Sequence, residues 1–335
     1  MIRARVLRTV SAMALAAAVI PLGAVLAGPA SATTFNVINN QNSGTGSLRQ
    51  ALADAASNPG VDVIDIQSGL ATITVTSELA WSGSGAVTIN GNGATLTGPG
   101  VGRGLVEEGG DGFTMNDLTV TGFGAAMSDN AAAVLSLGGP ITLNGCSITD
   151  NAIQSDAENI AGGVLSTGGS VNITNCTITG NSATASDGDV GGGVLSQGGN
   201  VVIVTSTISG NTASSSFGDA GGGVLSEGGS VTVRDSTFNC NTATTTGNGG
   251  DAAGGILSEG GGITINGSTV VGNSATAVGA AGNALLAAGG GAVDGTGNTI
   301  SDDTSVCAAP TPTPTPTPTP APVAAPVQAA ARFTG

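Results

Sequence analysis

The chain is organised by a repeat of about 30 residues, which constrains its fold more than any other feature. Five segments align without gaps, at residues 141–151, 171–181, 201–211, 231–241 and 263–273. Each follows a Val-Leu-Ser type block that begins seven residues earlier, and successive copies are 30, 30, 30 and 32 residues apart. A fixed period of this size is typical of a solenoid, in which each repeat stacks on the one before it.

The residue types predict a solenoid of β-strands. Each copy is rich in Val, Ile and Thr with Gly and Asn at its ends, which favours short strands and tight turns. Apolar side chains alternate at Val171 and Ile173, but Ile178 breaks the alternation, so a corner near Asn175 must reset it. Such coils predict a parallel β-helix that rises about 4.8 Å per coil. Weaker copies at residues 87–97, 113–123 and 293–303 give about eight coils and a rod of roughly 40 Å.

Aligned positions form columns of similar residues. An inward apolar column consists of Leu96, Val120, Ile148, Ile178, Ile208, Phe238, Val270 and Ile300. Two hydroxyl columns flank it: Thr95, Thr119, Ser147, Thr177, Thr207, Thr237, Thr269 and Thr299 on one side, and Thr97, Thr121, Thr149, Thr179, Ser209 and Ser301 on the other, interrupted at Asn239 and Val271. A structural ladder of asparagines consists of Asn151, Asn181, Asn211, Asn241 and Asn273. Asparagine tolerates left-handed backbone angles and can hydrogen-bond between coils, so we interpret this ladder as architectural.

Two short motifs resemble a known family. Residues 192–195, Gly-Gly-Val-Leu, resemble one half of the polymorphic membrane protein repeat, and residues 238–241, Phe-Asn-Cys-Asn, match its Phe-x-x-Asn half. Residues 43–52 are similar to the entry segment of many bacterial surface β-helix proteins. The resemblance covers roughly residues 34–305 and implies a right-handed, pectin-lyase-like β-helix in an exported or surface protein. It implies little about activity, because lyases, hydrolases, adhesins and spacers share this fold.

The two ends of the chain indicate export. Three arginines precede an apolar, Ala-rich stretch that ends in Ala-Ser-Ala at residues 30–32, which predicts a secretory signal peptide, with an uncleaved anchor as the alternative. Residues 310–320 alternate Pro and Thr and predict an extended tail without a core. We therefore divide the chain into a signal peptide (1–32), an N-terminal cap with the first strands (33–86), the repeats (87–309) and a disordered tail (310–335), and expect a secreted or cell-surface protein without a transmembrane segment in the mature chain.

The N-terminal cap contains a predicted helix. Ser47 and Gln50 form a capping-box pattern, and Leu48, Leu52 and the alanines between and after them form an apolar stripe. We expect this helix to close the first coil, which would otherwise expose free strand edges.

The charge of the chain excludes several partners. After removal of the signal peptide, four arginines remain against 22 acidic residues, a net charge of −18, and the chain has no histidine or tyrosine. Nucleic acids need cationic groups opposite their phosphates, and anionic lipid surfaces need the same. Neither is expected to bind. Cell-envelope glycans and surface proteins remain as candidate partners.

Four cysteines in an exported protein predict disulfides. Cys146 and Cys176 occupy the same position in adjacent coils, close enough for a bridge, although they can equally be two buried thiols where later coils have Ser206 and Ser236. Cys240 and Cys307 can pair only if the chain after residue 303 folds back across the end of the stack.

An acidic column is the candidate metal site. Asp129, Asp189, Asp219 and Asp251 lie five residues before the aligned Val or Ile positions, with Asn159 between the first two. Stacked carboxylates suit calcium, which takes six to eight oxygen ligands. The alternative is a set of solvated loops. No cofactor is required by the rest of the sequence, and calcium is the one candidate.

The sequence offers little for catalysis. A pectate lyase needs a strong base beside its carboxylates, and the folded part of the chain offers only Arg49, Arg103 and Arg234. We therefore predict an all-β, right-handed parallel β-helix that acts without catalysis in adhesion or cell-envelope structure. The alternative is a carbohydrate-active enzyme of the pectate-lyase type that acts on an acidic polysaccharide. A minor alternative is ice binding, because the hydroxyl columns resemble the ice-binding faces of some β-solenoid antifreeze proteins.

Overall fold

The computed structural model describes residues 32–83, 85–100, 102–125, 130–156, 159–247, 249–288 and 291–307. The signal peptide, apart from Ala32, the Pro/Thr tail and Asp129 lie outside these residues. The described residues form an all-β, right-handed parallel β-helix with roughly 30 residues per coil and a helix near the N-terminus. The predicted fold is therefore confirmed, with about nine coils in place of the predicted eight.

Four parallel sheets run along the stack, named here A to D. Sheet A contains Thr34–Val37, Asp62–Ile66, Thr72–Thr74, Val87–Thr97, Phe113–Thr121, Ile141–Asn144, Ser147–Thr149, Val171–Thr174, Thr177–Thr179, Val201–Val204, Thr207–Ser209, Val231–Arg234, Thr237–Asn239, Ile263–Asn266, Thr269–Val271, Val293–Asp294 and Thr299–Ser301. Sheet B contains Leu79–Trp81, Leu105–Glu107, Val134–Ser136, Val164–Ser166, Val194–Ser196, Val224–Ser226, Ile256–Ser258 and Leu285–Ala287. Sheet C contains Gly124–Ala125, Ala152–Ser155, Ser182–Ala185, Thr212–Ser215, Thr242–Thr245 and Ser274–Thr276, and sheet D contains Asn159–Ala161, Asp189–Gly191, Ala220–Gly221, Ala252–Ala253 and Ala281–Gly282.

The register of the sheets follows the sequence repeat. Ile141 pairs with Val171, which pairs with Val201, so each aligned position stacks on its counterpart. The inward apolar column is fully buried from Leu96 to Val270, but Ile300 is 50 % exposed because it lies in the last coil that the structure describes. The corner predicted near Asn175 is present, since this residue has a left-handed φ of 54° between two strands of sheet A.

The stack has three apolar cores, because sheet D packs against both sheet C and sheet B. The main core lies between sheets A and B. A second, Ala-rich core lies between sheets C and D, around residues such as Ala183 and Val190. A third joins sheet D to the outward leucines of sheet B, such as Leu195. The reversal between sheets D and B is tightly packed in the middle of the stack, because a Cβ on Gly192 would lie 2.3 Å from the carbonyl oxygen of Gly222; the first of the five aligned copies has Ala132 at the equivalent position.

The asparagine ladder holds neighbouring coils together. Oδ1 of Asn211 accepts the backbone N–H and the side-chain N–H of Asn181, both at 3.0 Å, and the same pattern links Asn241 to Asn273. These side chains are buried, and their Nδ2 atoms also donate to backbone carbonyls such as that of Ile178. The left-handed residues stand one position earlier, as at Asp150 and Cys240. The ladder therefore satisfies buried backbone groups at a corner.

The helix Leu48–Ser57 closes the first coils. Ser47 is its N-cap and accepts the backbone N–H of Gln50, whereas the Gln50 side chain donates to Asp54 instead of completing a capping box. Leu48 and Leu52 are buried in the main core beneath the helix. At the opposite end, a 3₁₀-helix at Thr304–Cys307 follows the last strand.

Of the two cysteine pairs considered from the sequence, one forms a disulfide and the other does not. Cys240 and Cys307 are joined by a disulfide, with Cα atoms 5.4 Å apart, so the chain after residue 303 does fold back. Cys146 and Cys176 are buried free thiols, and the bridge allowed by their spacing is not formed. The sulfur of Cys176 instead accepts the backbone N–H of Cys146, as the hydroxyl of Ser206 accepts that of Cys176. Each sulfur contacts backbone of the preceding coil, and the two thiols also hydrogen-bond to each other.

Candidate functional site

The acidic column lies at the start of sheet D. Asp189 begins the strand Asp189–Gly191, and Asp219 and Asp251 directly precede the next two strands. Each accepts a backbone N–H from the following coil: Asp219 N–H donates to Oδ1 of Asp189 at 2.7 Å, and Asp251 N–H to Oδ1 of Asp219 at 2.6 Å. Asn159 accepts the N–H of Asp189 in the same way, so this bond does not require a charge. One oxygen of each aspartate is therefore committed to the architecture.

Two glutamates from the end of sheet B complete the cluster. Oε1 of Glu227 accepts a hydrogen bond from the side chain of Asn159 at 3.0 Å. The carboxylates of Asp189, Asp219 and Glu259 have oxygens within 4.8 Å of one another. Oε1 of Glu259 is buried and has no hydrogen-bond partner. We call Asp189, Asp219, Glu227 and Glu259 the acidic cluster.

Burial, followed by the neighbouring charges, raises the pKa of three of these carboxylates, those of Asp189, Glu227 and Glu259. Burial, with the charge of Asp189 as a further cause, raises the pKa of Glu227 to about 7. Burial, a hydrogen bond with Asp219 and the surrounding charges raise the pKa of Glu259 to about 9. Burial also raises the pKa of Asp189. At neutral pH the cluster therefore holds at least one proton, which protonated Glu259 can share with Asp219.

The predicted four-aspartate column is thus not one site in the described structure. Asp189 and Asp219 come together, Asp251 lies further along and accepts the N–H of Ala280, and Asp129 is outside the described residues. Sequence reasoning missed Glu227 and Glu259. Each directly follows an aligned Leu-Ser pair, and the two pairs lie in adjacent coils. The alignment of the repeats could therefore have identified both glutamates. Their approach to the column depends on the reversal between sheets D and B.

The three arginines of the described coils and cap lie away from the acidic cluster. Arg49 donates to the backbone carbonyls of Ser77 and Glu78, and Arg103 forms a salt bridge of 2.8 Å with Glu78. Arg234 is exposed on the outer side of sheet A, beside Val204 and Asn266. The acidic cluster lies between sheets D and B in later coils, so it gains no strong base from these three residues.

A second surface is the outer side of nine short strand segments in sheet A. Each has the pattern Thr-x-Thr or a close variant, with the middle residue directed into the core. We call the outward residues the hydroxyl face: Thr72, Thr74, Thr95, Thr97, Thr119, Thr121, Ser147, Thr149, Thr177, Thr179, Thr207, Ser209, Thr237, Asn239, Thr269, Val271, Thr299 and Ser301. Thr72 and Thr74 extend the predicted columns by one coil. None of these side chains carries a charge.

The hydroxyl face is regular and has no aromatic residue. Thr177 pairs with Thr207 and then with Thr237, in register. Trp81 and Phe113 contact each other edge to face inside the core, with ring centroids 5.3 Å apart. Phe123 and Phe238 are also buried. The surface can therefore offer hydroxyls, amides and methyl groups to a partner, but not a platform for ring stacking.

A comparison with protein families assigns the fold to a family. The model described as "Right handed beta helix region" matches residues 103–304, well over half of the chain. The chain belongs to the right-handed β-helix family. A search of curated proteins finds none that matches it. Pectate-lyase-like proteins and surface modules share this β-helix domain, so membership alone does not assign an activity. No helix in the described part of this β-helix protein is long and apolar enough to span a membrane.

Proposed function

We propose that this protein is an exported, non-catalytic β-helix module for adhesion or cell-envelope structure, and that the hydroxyl face is its contact surface. The observation that supports this most directly is the continuity of the face, which presents threonine or serine over nine coils, except at Asn239 and Val271, without a charged side chain. A rigid stack presents these groups in fixed positions, so contact with an extended partner requires little ordering of the protein.

The N-terminal sequence and the disulfide support an exported location. The first 32 residues have the pattern of a secretory signal peptide, and a Cys240–Cys307 disulfide suits an oxidising compartment. Partners in this setting are envelope glycans or other surface proteins.

The lyase alternative has less support. Proton abstraction from an acidic sugar needs a base and cationic groups near the substrate carboxylate, but Arg49 and Arg103 are held near Glu78 and Arg234 lies on sheet A. The acidic cluster would also repel such a substrate.

Cosedimentation with purified cell-wall sacculi tests the proposal. We expect the mature protein to pellet with the sacculi, and Thr177→Lys/Thr207→Lys to reduce this binding. Thr184→Lys/Ser214→Lys is the matched control, because these residues also pair between adjacent coils but lie on sheet C. Equal binding by both variants would show that the hydroxyl face is not the contact surface. Release of unsaturated sugar from polygalacturonate would favour the lyase.

We retain calcium binding at the acidic cluster as a second proposal. Three carboxylates have oxygens within 4.8 Å, and Oε1 of Glu259 lacks a partner, which suits a cation that binds oxygen. Calcium should raise the unfolding temperature of the wild type in a concentration-dependent way but not that of Glu259→Gln. Glu108→Gln, at an exposed glutamate elsewhere, serves as the control. An unchanged unfolding temperature of the wild type would exclude this site.

A further inference from the structure

The last described coil leaves the apolar core of the stack uncovered. Leu285, Val293 and Ile300 occupy inward positions in this coil, and their partners one coil earlier are fully buried. Val293 and Ile300 are 49 % and 50 % exposed, and Leu285 is partly exposed. A cavity of about 540 Å³ opens at the same end, between Leu285 and Ile300. Side chains of the type that the rest of the stack buries therefore face solvent here.

The strand edges of this coil are also unpaired within the described residues. In each sheet the last strand pairs with the coil before it and with no strand beyond: Ser274–Thr276, Ala281–Gly282, Leu285–Ala287, Val293–Asp294 and Thr299–Ser301. Such edges present N–H and C=O groups that can pair with another chain. We call these edges, together with Leu285, Val293 and Ile300, the open end. The opposite end of the stack differs, because the helix Leu48–Ser57 covers it.

The chain itself turns away from the open end. The 3₁₀-helix Thr304–Cys307 runs back along the outside of the stack, and its disulfide reaches Cys240, two coils earlier. A Cβ on Gly272, in the coil between, would lie 2.6 Å from Sγ of Cys307 and 2.7 Å from Cγ2 of Val306, so this segment packs directly on the corner of the stack. The residues that follow Cys307 therefore start beside the coil of Cys240 and not over the open end.

The shape of the open end limits the partner that can cover it. An extended peptide adds to one strand edge, but the unpaired edges here belong to four sheets around a shared apolar centre. Another coil of the same cross-section can match the edges and the centre together. The acidic residues of this end, Asp294, Asp302 and Asp303, are exposed, so the surface has an apolar centre and a charged rim that salt can screen.

We propose that the open end binds the open end of a second copy of this protein. Because one surface meets its own copy, the contact is isologous, with a two-fold axis perpendicular to the stack. The helix-covered ends then face outward, so the assembly stops at two copies and does not grow into a fibre. The dimer would carry two hydroxyl faces on one rod, although this inference does not rest on the function proposed for them.

Sedimentation equilibrium of the mature protein, residues 33–335, tests the inference. We expect the mass to double as the concentration rises and to increase no further. Added sodium chloride should strengthen the dimer, because the acidic rims of the two copies repel each other. Ile300→Lys should lose the dimer at concentrations at which the wild type is dimeric. The matched control is Phe217→Lys, which also charges a large exposed apolar residue but on the side of the stack, and it should dimerise like the wild type.

A second variant and a truncation make the result decisive. Val293→Lys charges another half-exposed residue of the open end and should also lose the dimer, and thermal unfolding shows whether each variant folds. A wild type that stays monomeric would overturn the inference, and so would dimers of Ile300→Lys and Val293→Lys as stable as those of the wild type. Dimerisation only after removal of residues 310–335 would overturn it as well, because the tail would then be the segment that covers the open end.

Discussion

Oδ1 of Asn241 accepts two hydrogen bonds from Asn211, one from its backbone N–H and one from its Nδ2, each at 3.0 Å. A single buried side chain thus satisfies two donors of the preceding coil. The same relation repeats at each rung from Asn151 to Asn273, so coil stacking depends on this column as well as on the apolar core.

Replacing one rung should destabilise the stack. In Asn211→Ala, the buried N–H of Asn181 and the buried carbonyl of Ile178 lose their partner. Each unsatisfied buried group costs about 1–3 kcal/mol, so we expect a loss of about 3 kcal/mol in the free energy of unfolding, measured by urea denaturation. The exposed neighbour Thr212→Ala should change it by less than about 0.5 kcal/mol. Similar midpoints for both variants would contradict a stabilising role of the ladder.

The acidic cluster should make stability depend on pH. The pKa of Glu259 rises from 4.5 unfolded to about 9 folded, and that of Glu227 to about 7. Over this interval the folded state binds more protons than the unfolded state, so the free energy of unfolding falls as the pH rises from 4.5 towards 9. Glu259→Gln should lessen this fall and stabilise the protein at alkaline pH, measured as the unfolding temperature across the range. Parallel curves for Glu259→Gln, the wild type and the control Glu108→Gln would show that Glu259 does not titrate as described.

The two cysteine pairs should respond differently to substitution. The Cys240–Cys307 disulfide closes a loop across a sequence separation of 67 residues, for which chain entropy predicts about 4 kcal/mol. Cys307→Ser should therefore destabilise the last coils, seen as faster hydrogen exchange in residues 263–301. Cys146→Ser/Cys176→Ser should leave exchange near the wild-type rate, because Ser206 and Ser236 make the equivalent bonds. Slow exchange in reduced protein would contradict the first expectation.

In the middle of the stack, the reversal between sheets D and B should not tolerate a side chain at Gly192. In Gly192→Ala the new Cβ would meet the carbonyl oxygen of Gly222 at 2.3 Å, and backbone must move. At Gly93 an alanine meets no atom within 4 Å, so Gly93→Ala costs only its left-handed conformation, about 1–2 kcal/mol. Chemical denaturation should rank Gly192→Ala as the less stable variant, and the reverse order would refute the close packing of the coils.

The repeat made most of the fold predictable. Once one residue is aligned with its counterpart in the next coil, every other aligned position of the two coils is paired as well. The corner at Asn175, the buried column through Ile178 and the helix beginning at Leu48 all follow from local sequence. The number of coils was less predictable, since the first strands, such as Asp62–Ile66, lack the repeat's signature.

Contacts within the cross-section of a coil were not predictable. Glu227 and Asp219 are on the same coil, and their approach depends on the direction in which the glycines at 221–223 turn sheet D over sheet B. No local pattern specifies that direction. The cysteines show a similar limit, because stacking placed Cys146 beside Cys176 correctly but did not determine where their sulfurs point.

The asparagine rung also has a consequence for evolution. Each coil presents to the next the same acceptors and donors that it receives from the previous one, so a duplicated or deleted repeat meets matching groups at both new junctions. The number of repeats can therefore change without further substitutions at the junctions between coils. The gene can therefore lengthen or shorten the protein in steps of about 4.8 Å, with the disulfide-linked end and the helix-capped end carried along unchanged.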